Sequence, residues 1–295
     1  MIIDAHNHAD WCGHDFDKVI ANMDQYHIDK MWILSWESPR TEYNSDSEKL
    51  VTGGVFGRDA KSVPVPFERC LAYKQKAPDR FILGYAPDPR RVDAIAVLKA
   101  AMEVFGVQVC GEVKFRMLYN DPDALDLFSF CGDAGLPVTL HFDNPKIVRK
   151  PITGAARSYW WYGGTLDSLE EMLEECPKTN FLGHAPGFWS HISDDEMADT
   201  AVYPKGPVIP GGRIEKMLEK YPNLYCDISA GSGRIALSRD MEYTYRLMTR
   251  FPDRFVYARD YFDNGHQELI EQLGLPQDVK EMVYYKNAER LVRPL

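Results

Sequence analysis

Eight short apolar runs punctuate the chain, at 1–5, 31–36, 81–86, 109–115, 136–142, 180–185, 224–228 and 255–258. Each is rich in Val, Ile, Leu, Phe or Tyr and is bounded by turn-forming residues, as expected of strands buried on both faces. Stretches of helical periodicity lie between or after them, at 15–28, 67–76, 92–105, 123–134, 166–176, 213–221, 241–251 and 266–273. In the first, Val19, Ile20, Met23 and Ile28 fall on roughly one face. Asp121-Pro122 and Thr165 offer helix starts, and Gly106, Gly135, Pro177 and Pro222 offer stops. Strands alternating with helices in this way predict one (β/α)8 barrel of the α/β class, a single domain over 1–295. An open doubly wound sheet is the alternative, weakened because no GxGxxG follows the first run.

Composition narrows the partners. With 45% hydrophobic residues the chain can build a large core, which argues against global disorder. A net charge of −10 argues against nucleic acid or a membrane surface as the partner. No run of eighteen apolar residues occurs, so no membrane span is expected. The six cysteines, Cys12, Cys70, Cys110, Cys131, Cys176 and Cys226, include no CxxC pair and read as reduced, mostly buried thiols. Without a secretory signal pattern, the expected location is the cytoplasm. A homodimer is expected on general frequency alone.

The chemistry-bearing residues cluster at the ends of the apolar runs. His6 and His8 close the first run (IDAHNH) and, two apart, share one strand face. His141 closes the fifth (LPVTLHFD), His184 the sixth (NFLGHAPG) and Asp260 follows the eighth (RFVYARDY), while Glu112 and Lys114 lie on the fourth (GEVKF). In a parallel barrel such ends meet at one face. Imidazoles and carboxylates gathered there are costly to bury unless a shared cation compensates them. His14 and His191, in loops after strands, are weaker candidates, and His27 and His266 are expected to be ordinary helix-surface or helix-start residues.

This ordered set resembles the amidohydrolase superfamily, in the amidohydrolase-related branch that includes aminocarboxymuconate-semialdehyde decarboxylase. The resemblance implies one divalent ion, zinc by expectation with manganese as the alternative, held by His6, His8, His141 and Asp260, with Glu112 as a further ligand. It implies a catalytic role for His184, and for Asp260 as the base that handles the attacking water. Two departures stand out. Ala258-Arg259 precedes Asp260 where the family usually has Gly-Ser, so Arg259 either alters Asp260 or points into the helix layer. The fourth run offers both Glu112 and Lys114, where a carbamylated lysine bridges two metals in other branches; one metal is preferred, with Lys114 in an ion pair with a neighbouring acid.

A divalent ion lowers the pKa of its water from about 15.7 to about 7, and no GxSxG nucleophile elbow is present. The first reading is therefore a hydrolase acting on an amide, ester or lactone of a small carboxylated molecule. The alternative is a non-oxidative decarboxylase, and a third reading is a barrel that binds a ligand without chemistry. Arg116, Lys114 and Trp161 are the candidates for holding an anionic substrate, with Lys146, Arg149, Lys150 and Arg157 in the loop after His141 as weaker ones. Three long connections, 37–66, 143–164 and 186–212, follow strands and so belong to the face where sites form. Their aromatics, including Tyr159, Trp160, Tyr162, Phe188 and Trp189, either wall the site or pack the loops.

Overall fold

The computed structural model describes residues 1–39, 42, 62–144 and 162–293. Its strands are β1 (Ile3–Asn7), β2 (Lys30–Ile33), β3 (Trp36–Pro39), β4 (Ser62–Val65), β5 (Phe81–Leu83), β6 (Cys110–Val113), β7 (Val138–His141), β8 (Phe181–His184), β9 (Leu224–Asp227) and β10 (Phe255–Val256). Each predicted apolar run contains or overlaps one strand of a parallel ring. β1, β2 and β5 pair side by side, as do β6 to β10. Two seams close the ring. Gly84 bridges Val109 between β5 and β6, and the Ala5 amide donates to Tyr257 O at 3.0 Å between β1 and the end of β10. The architecture is a (β/α)8 barrel. β3 and β4 stand apart from the ring as an antiparallel hairpin in the loop after β2.

Ile3, Ala5, Trp32, Leu34, Val109, Leu182, Tyr225 and Val256 fill the barrel interior. A second apolar layer, including Val19, Met23, Leu98, Phe128, Leu169, Met217 and Leu247, lies between strands and helices. The helices begin where local chemistry directs. Asp15 caps Phe16–Gln25 by accepting from the Lys18 amide. Asp121 caps Pro122–Ala134, which ends on Gly135 in the left-handed conformation. The cysteines form no disulfide, and all but Cys12 are buried.

Two helical regions escaped the sequence pattern. Ala230–Ser238 (AGSGRIALS) carries two glycines, a poor helix signal. Tertiary packing explains it: a Cβ on Gly233 would lie 2.1 Å from Ile228 O, so only glycine lets this helix close on the end of β9. The chain also ends in helical turns from Gln277 to Leu291. After β8, the short helix Pro186–Trp189 packs against the end of β7, where a Cβ on Gly187 would lie 2.7 Å from the Phe142 carbonyl. Phe188 and Trp189 are buried there as core, so these two aromatics pack the loop and do not form a lid.

Candidate metal centre

A break in the alternation of β1 sets up the site. In a regular strand Asp4, His6 and His8 would share a face. Here Ala5 belongs to the barrel interior, yet Asn7 donates to Asp4 Oδ2 at 3.2 Å, so residues three apart share the outer face. The pairing with β2 gains one extra residue between Asp4 and Asn7, which is a bulge. It turns Asp4 and Asn7 toward the helix layer and leaves both histidines facing the cluster at the strand ends.

The residues predicted at the strand ends meet. His8 Nε2 lies 3.3 Å from Glu112 Oε2 and 3.6 Å from Asp260 Oδ1. His6 Nε2 lies 3.9 Å from Glu112 Oε2, and the His6 and His184 rings are 4.5 Å apart. His184 Nε2 is 4.0 Å from both Glu112 Oε1 and Asp260 Oδ2. His141 points its Nδ1 at Glu112 Oε1, 2.7 Å away. Three groups of three have ligand atoms close enough to share an ion: His6, His8 and Glu112; His6, His184 and Asp260; and Glu112, His141 and His184. Glu112, weighed from sequence only as an extra ligand, thus sits at the hub, and His141 reaches the cluster through it.

Three buried atoms in this cluster have no hydrogen-bond partner: His6 Nε2, Glu112 Oε2 and Asp260 Oδ1. Buried polar atoms are rarely left unpaired, and these three, all nitrogen or carboxylate oxygen, belong to two such groups that share His6, one with Glu112 and one with Asp260. That donor set fits a divalent ion. The cluster is a divalent-metal site, and it makes the chain a metal-dependent enzyme.

The surrounding groups orient the donors. His6 Nδ1 lies 2.6 Å from Asp227 Oδ2, and both side chains are fully buried. His8 Nδ1 faces Leu34 O at 2.8 Å, and His184 Nδ1 faces the Ser229 hydroxyl at 2.9 Å. Each imidazole is thereby held at Nδ1 with Nε2 turned to the cluster, the usual arrangement around a metal. Asp227 and Ser229 were missed from sequence. The available signal was the polar residue ending the seventh apolar run (LYCDIS), at the strand end where the others had been sought.

Electrostatics follow from burial and neighbours. Burial opposes charge on His6, but the Asp227 carboxylate outweighs it and holds the imidazole well above its ordinary pKa. Burial likewise opposes charge on Asp227, and His6 brings it below the usual carboxylate range. Burial pushes His184 well down, so it is neutral. Glu112 is held well below the ordinary value: burial opposes this, but Lys114 and His141 prevail. Burial raises Asp260.

A cavity of about 560 Å³ opens from the cluster. Lys114, His141, His184, Asp260, Trp36 and Tyr162 line it near the cluster, and Ser232, Arg234, Asp263 and His266 line it beneath the loops after β9 and β10. Lys114 Nζ lies 3.8 Å from Glu112 Oε1 and 3.9 Å from the centre of the Trp36 ring. Arg116 does not line this cavity; its backbone amide donates to Glu42 and its guanidinium lies over Tyr162, behind the wall. Lys114 keeps the face of Glu112, but β6 ends at Val113, so by Arg116 alternation no longer sets the direction of the side chain. Arg234, overlooked because its helix was overlooked, supplies a second cation instead. His266 stands at a helix start, as expected, in Gly265–Leu273, but it is 2% exposed and lines the cavity, with Nε2 on Ala230 O at 3.1 Å. His14 stacks on Phe262, away from the cluster. Trp161, Tyr159, Trp160, Lys146, Arg149, Lys150 and Arg157 lie outside the described residues.

The fold and this geometry can be set beside known proteins. A family model described as amidohydrolase matches residues 211–293. The (β/α)8 fold is shared with solved structures of low sequence identity. The 5-carboxyvanillate decarboxylase of Sphingomonas paucimobilis is 17% identical, with a TM-score of 0.61 over 100% of this chain and 99% of its own. A dihydroxybenzoic acid decarboxylase from Polaromonas, with bound manganese and the inhibitor 2-nitroresorcinol, is 15% identical, with a TM-score of 0.60 over 98% and 96%. A probable 2-pyrone-4,6-dicarboxylic acid hydrolase from Acinetobacter baumannii, with citric acid bound, is 12% identical, with a TM-score of 0.57 over 98% of each chain. No curated protein matches the chain. Among the described residues, no helix is long and apolar enough to cross a membrane.

Proposed function

We propose that this chain is a non-oxidative, metal-dependent decarboxylase of the amidohydrolase superfamily, acting on a small carboxylated molecule. The observation that carries the reading is the set of buried, unpartnered atoms His6 Nε2, Glu112 Oε2 and Asp260 Oδ1, in two ligand groups that share His6, beside a cavity walled by Lys114 and Arg234. His6, His8, Glu112 and Asp260 would hold the ion, with His141 a further ligand or a partner of Glu112. When bound, a divalent ion supplies Lewis-acid charge that grips a carboxylate and a neighbouring oxygen. Recurrence of decarboxylases among the similar structures favours this reaction over hydrolysis, the first expectation from sequence. Manganese in one of them keeps manganese beside zinc as the candidate ion.

The chain's own residues then divide the work. Lys114 and Arg234 attract an anionic substrate into the cavity and set which end enters first. Neutral His184, with the Ser229 hydroxyl donating to Nδ1, carries its proton on Nε2 and donates a hydrogen bond to a substrate oxygen. Asp260, which lines the cavity beside the other donors, is the carboxyl placed to deliver a proton to carbon as carbon dioxide leaves and to recover one from water afterwards. Trp11, Trp36 and Tyr162 shield the site from water.

Hydrolysis of a lactone, ester or amide is the second reading, favoured by the description of the matching family model. One experiment separates them. The metal-loaded protein is incubated with a panel of hydroxybenzoic acids and with lactones, while carbon dioxide and proton release are followed. Carbon dioxide from a carboxylic acid, with deuterium appearing on the product carbon in D2O, supports the decarboxylase. Acid formation without carbon dioxide would overturn it in favour of the hydrolase.

A further inference from the structure

Arg259 replaces the small residue expected before Asp260, and the structure puts it to use outside the cavity. Its side chain is fully buried between barrel and helix layer. Nε donates to Asp4 Oδ2 at 2.8 Å, its backbone amide to Asp4 Oδ1 at 2.9 Å, and Nη1 to Asn22 Oδ1 at 2.9 Å on the first helix. The same small network holds the chain on both sides of the cluster. Asn22 Nδ2 donates to Phe262 O at 2.7 Å, and Asn7 Nδ2 to Tyr261 O at 2.9 Å. Asn7 Oδ1 accepts from the His8 amide at 3.0 Å, and Asp4 Oδ1 lies 3.4 Å from the His6 amide.

Between these anchors Asp260 is held at φ +55°, a left-handed conformation that a residue with a side chain seldom adopts without support. Its amide donates to His6 O at 2.8 Å and its carbonyl accepts from Trp11 Nε1 at 2.8 Å. The Asp260 amide and carbonyl are thus tied to His6 on β1 and to Trp11, three residues past His8. Asp4 is the pivot, because its one carboxylate touches the Arg259 side chain, the Arg259 amide and the Asn7 amide group.

We propose that the Arg259–Asp4–Asn22 network is a positioning device that sets Asp260 relative to His6 and His8, so that the three bind one ion in a defined geometry. This rests on the metal-site reading above. Arg259 touches neither the cavity nor the donors, and its influence runs through the backbone of 259–262. Buried ion pairs are seldom retained for stability alone, since apolar replacements of equal volume often serve as well. A role in geometry accounts for a full charge placed one residue from Asp260.

The test uses the full chain and Co2+ as the probe, whose visible absorption reports coordination geometry. Wild type, Arg259→Lys and Asn22→Ala are titrated with Co2+ against a competing chelator, with helix content followed by far-UV circular dichroism. The expected result is that both variants keep wild-type helix content, bind Co2+ about 10-fold more weakly and show a changed visible spectrum. Wild-type affinity and spectrum in the folded variants would overturn the proposal. So would Co2+ loss that only tracks loss of helix content, because that is a structural effect. A wild-type protein that takes up no Co2+ instead removes the metal-site reading, and the two failures are thereby distinct.

Discussion

Asp227→Asn is the perturbation whose size the structure defines best. The Asp227 carboxylate lies 2.6 Å from His6 Nδ1, both side chains are wholly buried, and no solvent screens the pair. Asparagine keeps the shape and one acceptor, so the loss is that of a charge-assisted bond, about 1.5–3 kcal/mol. Two consequences follow. With the ion bound, the orientation and basicity of His6 fall, and affinity drops about 10–100-fold, equivalent to about 1.4–2.7 kcal/mol. In the ion-free protein the melting temperature falls by a few degrees.

The second consequence has a pH signature. The folded pKa of Asp227 is depressed, so its share of stability is present above about 3.9 and is lost as pH falls through the lower folded value. That of His6 is raised, so its share is complete below about 6.5 and is lost as pH rises through the higher folded value. Asparagine removes both shares. The gap in melting temperature between wild type and variant, measured by calorimetry with chelator present, should be widest between about pH 4 and 6.5 and narrow on both sides. Zinc or manganese affinity is read by chelator competition on the same samples. Unchanged affinity together with an ion-free melting temperature equal to wild type at pH 5.5 would refute the reasoning, since it would mean the pair contributes nothing to either state.

Three further outcomes are expected. Glu112→Gln, at the hub of the cluster, should lower metal retention at least about 100-fold, read by elemental analysis after dialysis; full retention would show that the ion sits elsewhere. His184→Gln should keep the ion but lower turnover about 10²–10⁴-fold, and loss of metal instead would make His184 a ligand. Lys114→Met and Arg234→Met should each raise KM for the anionic substrate about 10-fold or more, whereas Arg116→Met should leave it within about 2-fold of wild type; the reverse order would return substrate binding to Arg116.

The barrel was legible before any coordinates because its signals are local. A buried parallel strand needs an unbroken apolar run, and a helix packed on it needs one apolar stripe, so strand and helix positions are written in neighbouring residues. Helix Phe67–Lys76 was read to its ends for this reason. His6, His8, Glu112, His141, His184 and Asp260 were also readable, because a polar side chain at the end of an apolar run is conspicuous and a closed ring sends those ends to one place. The helix Ala230–Ser238 was not readable, since its two glycines weaken the local signal and only the approach to Ile228 explains them. Arg234 was lost with it.

What the amino-acid sequence determined by itself was the inventory: which strands form, which side chains stand at their ends, and that a cation is their economical partner. The tertiary structure decided how the inventory is shared. It made Glu112 the hub, set Asp227 behind His6, and turned Arg259 outward onto Asp4. It also exchanged Arg116 for Arg234 in the cavity wall. These outcomes depend on a one-residue bulge in β1 and on left-handed turns at Ala185, Ala230 and Asp260. Neither feature has a sequence signal, because both arise where the ring closes and distant segments must satisfy one another's backbone hydrogen bonds.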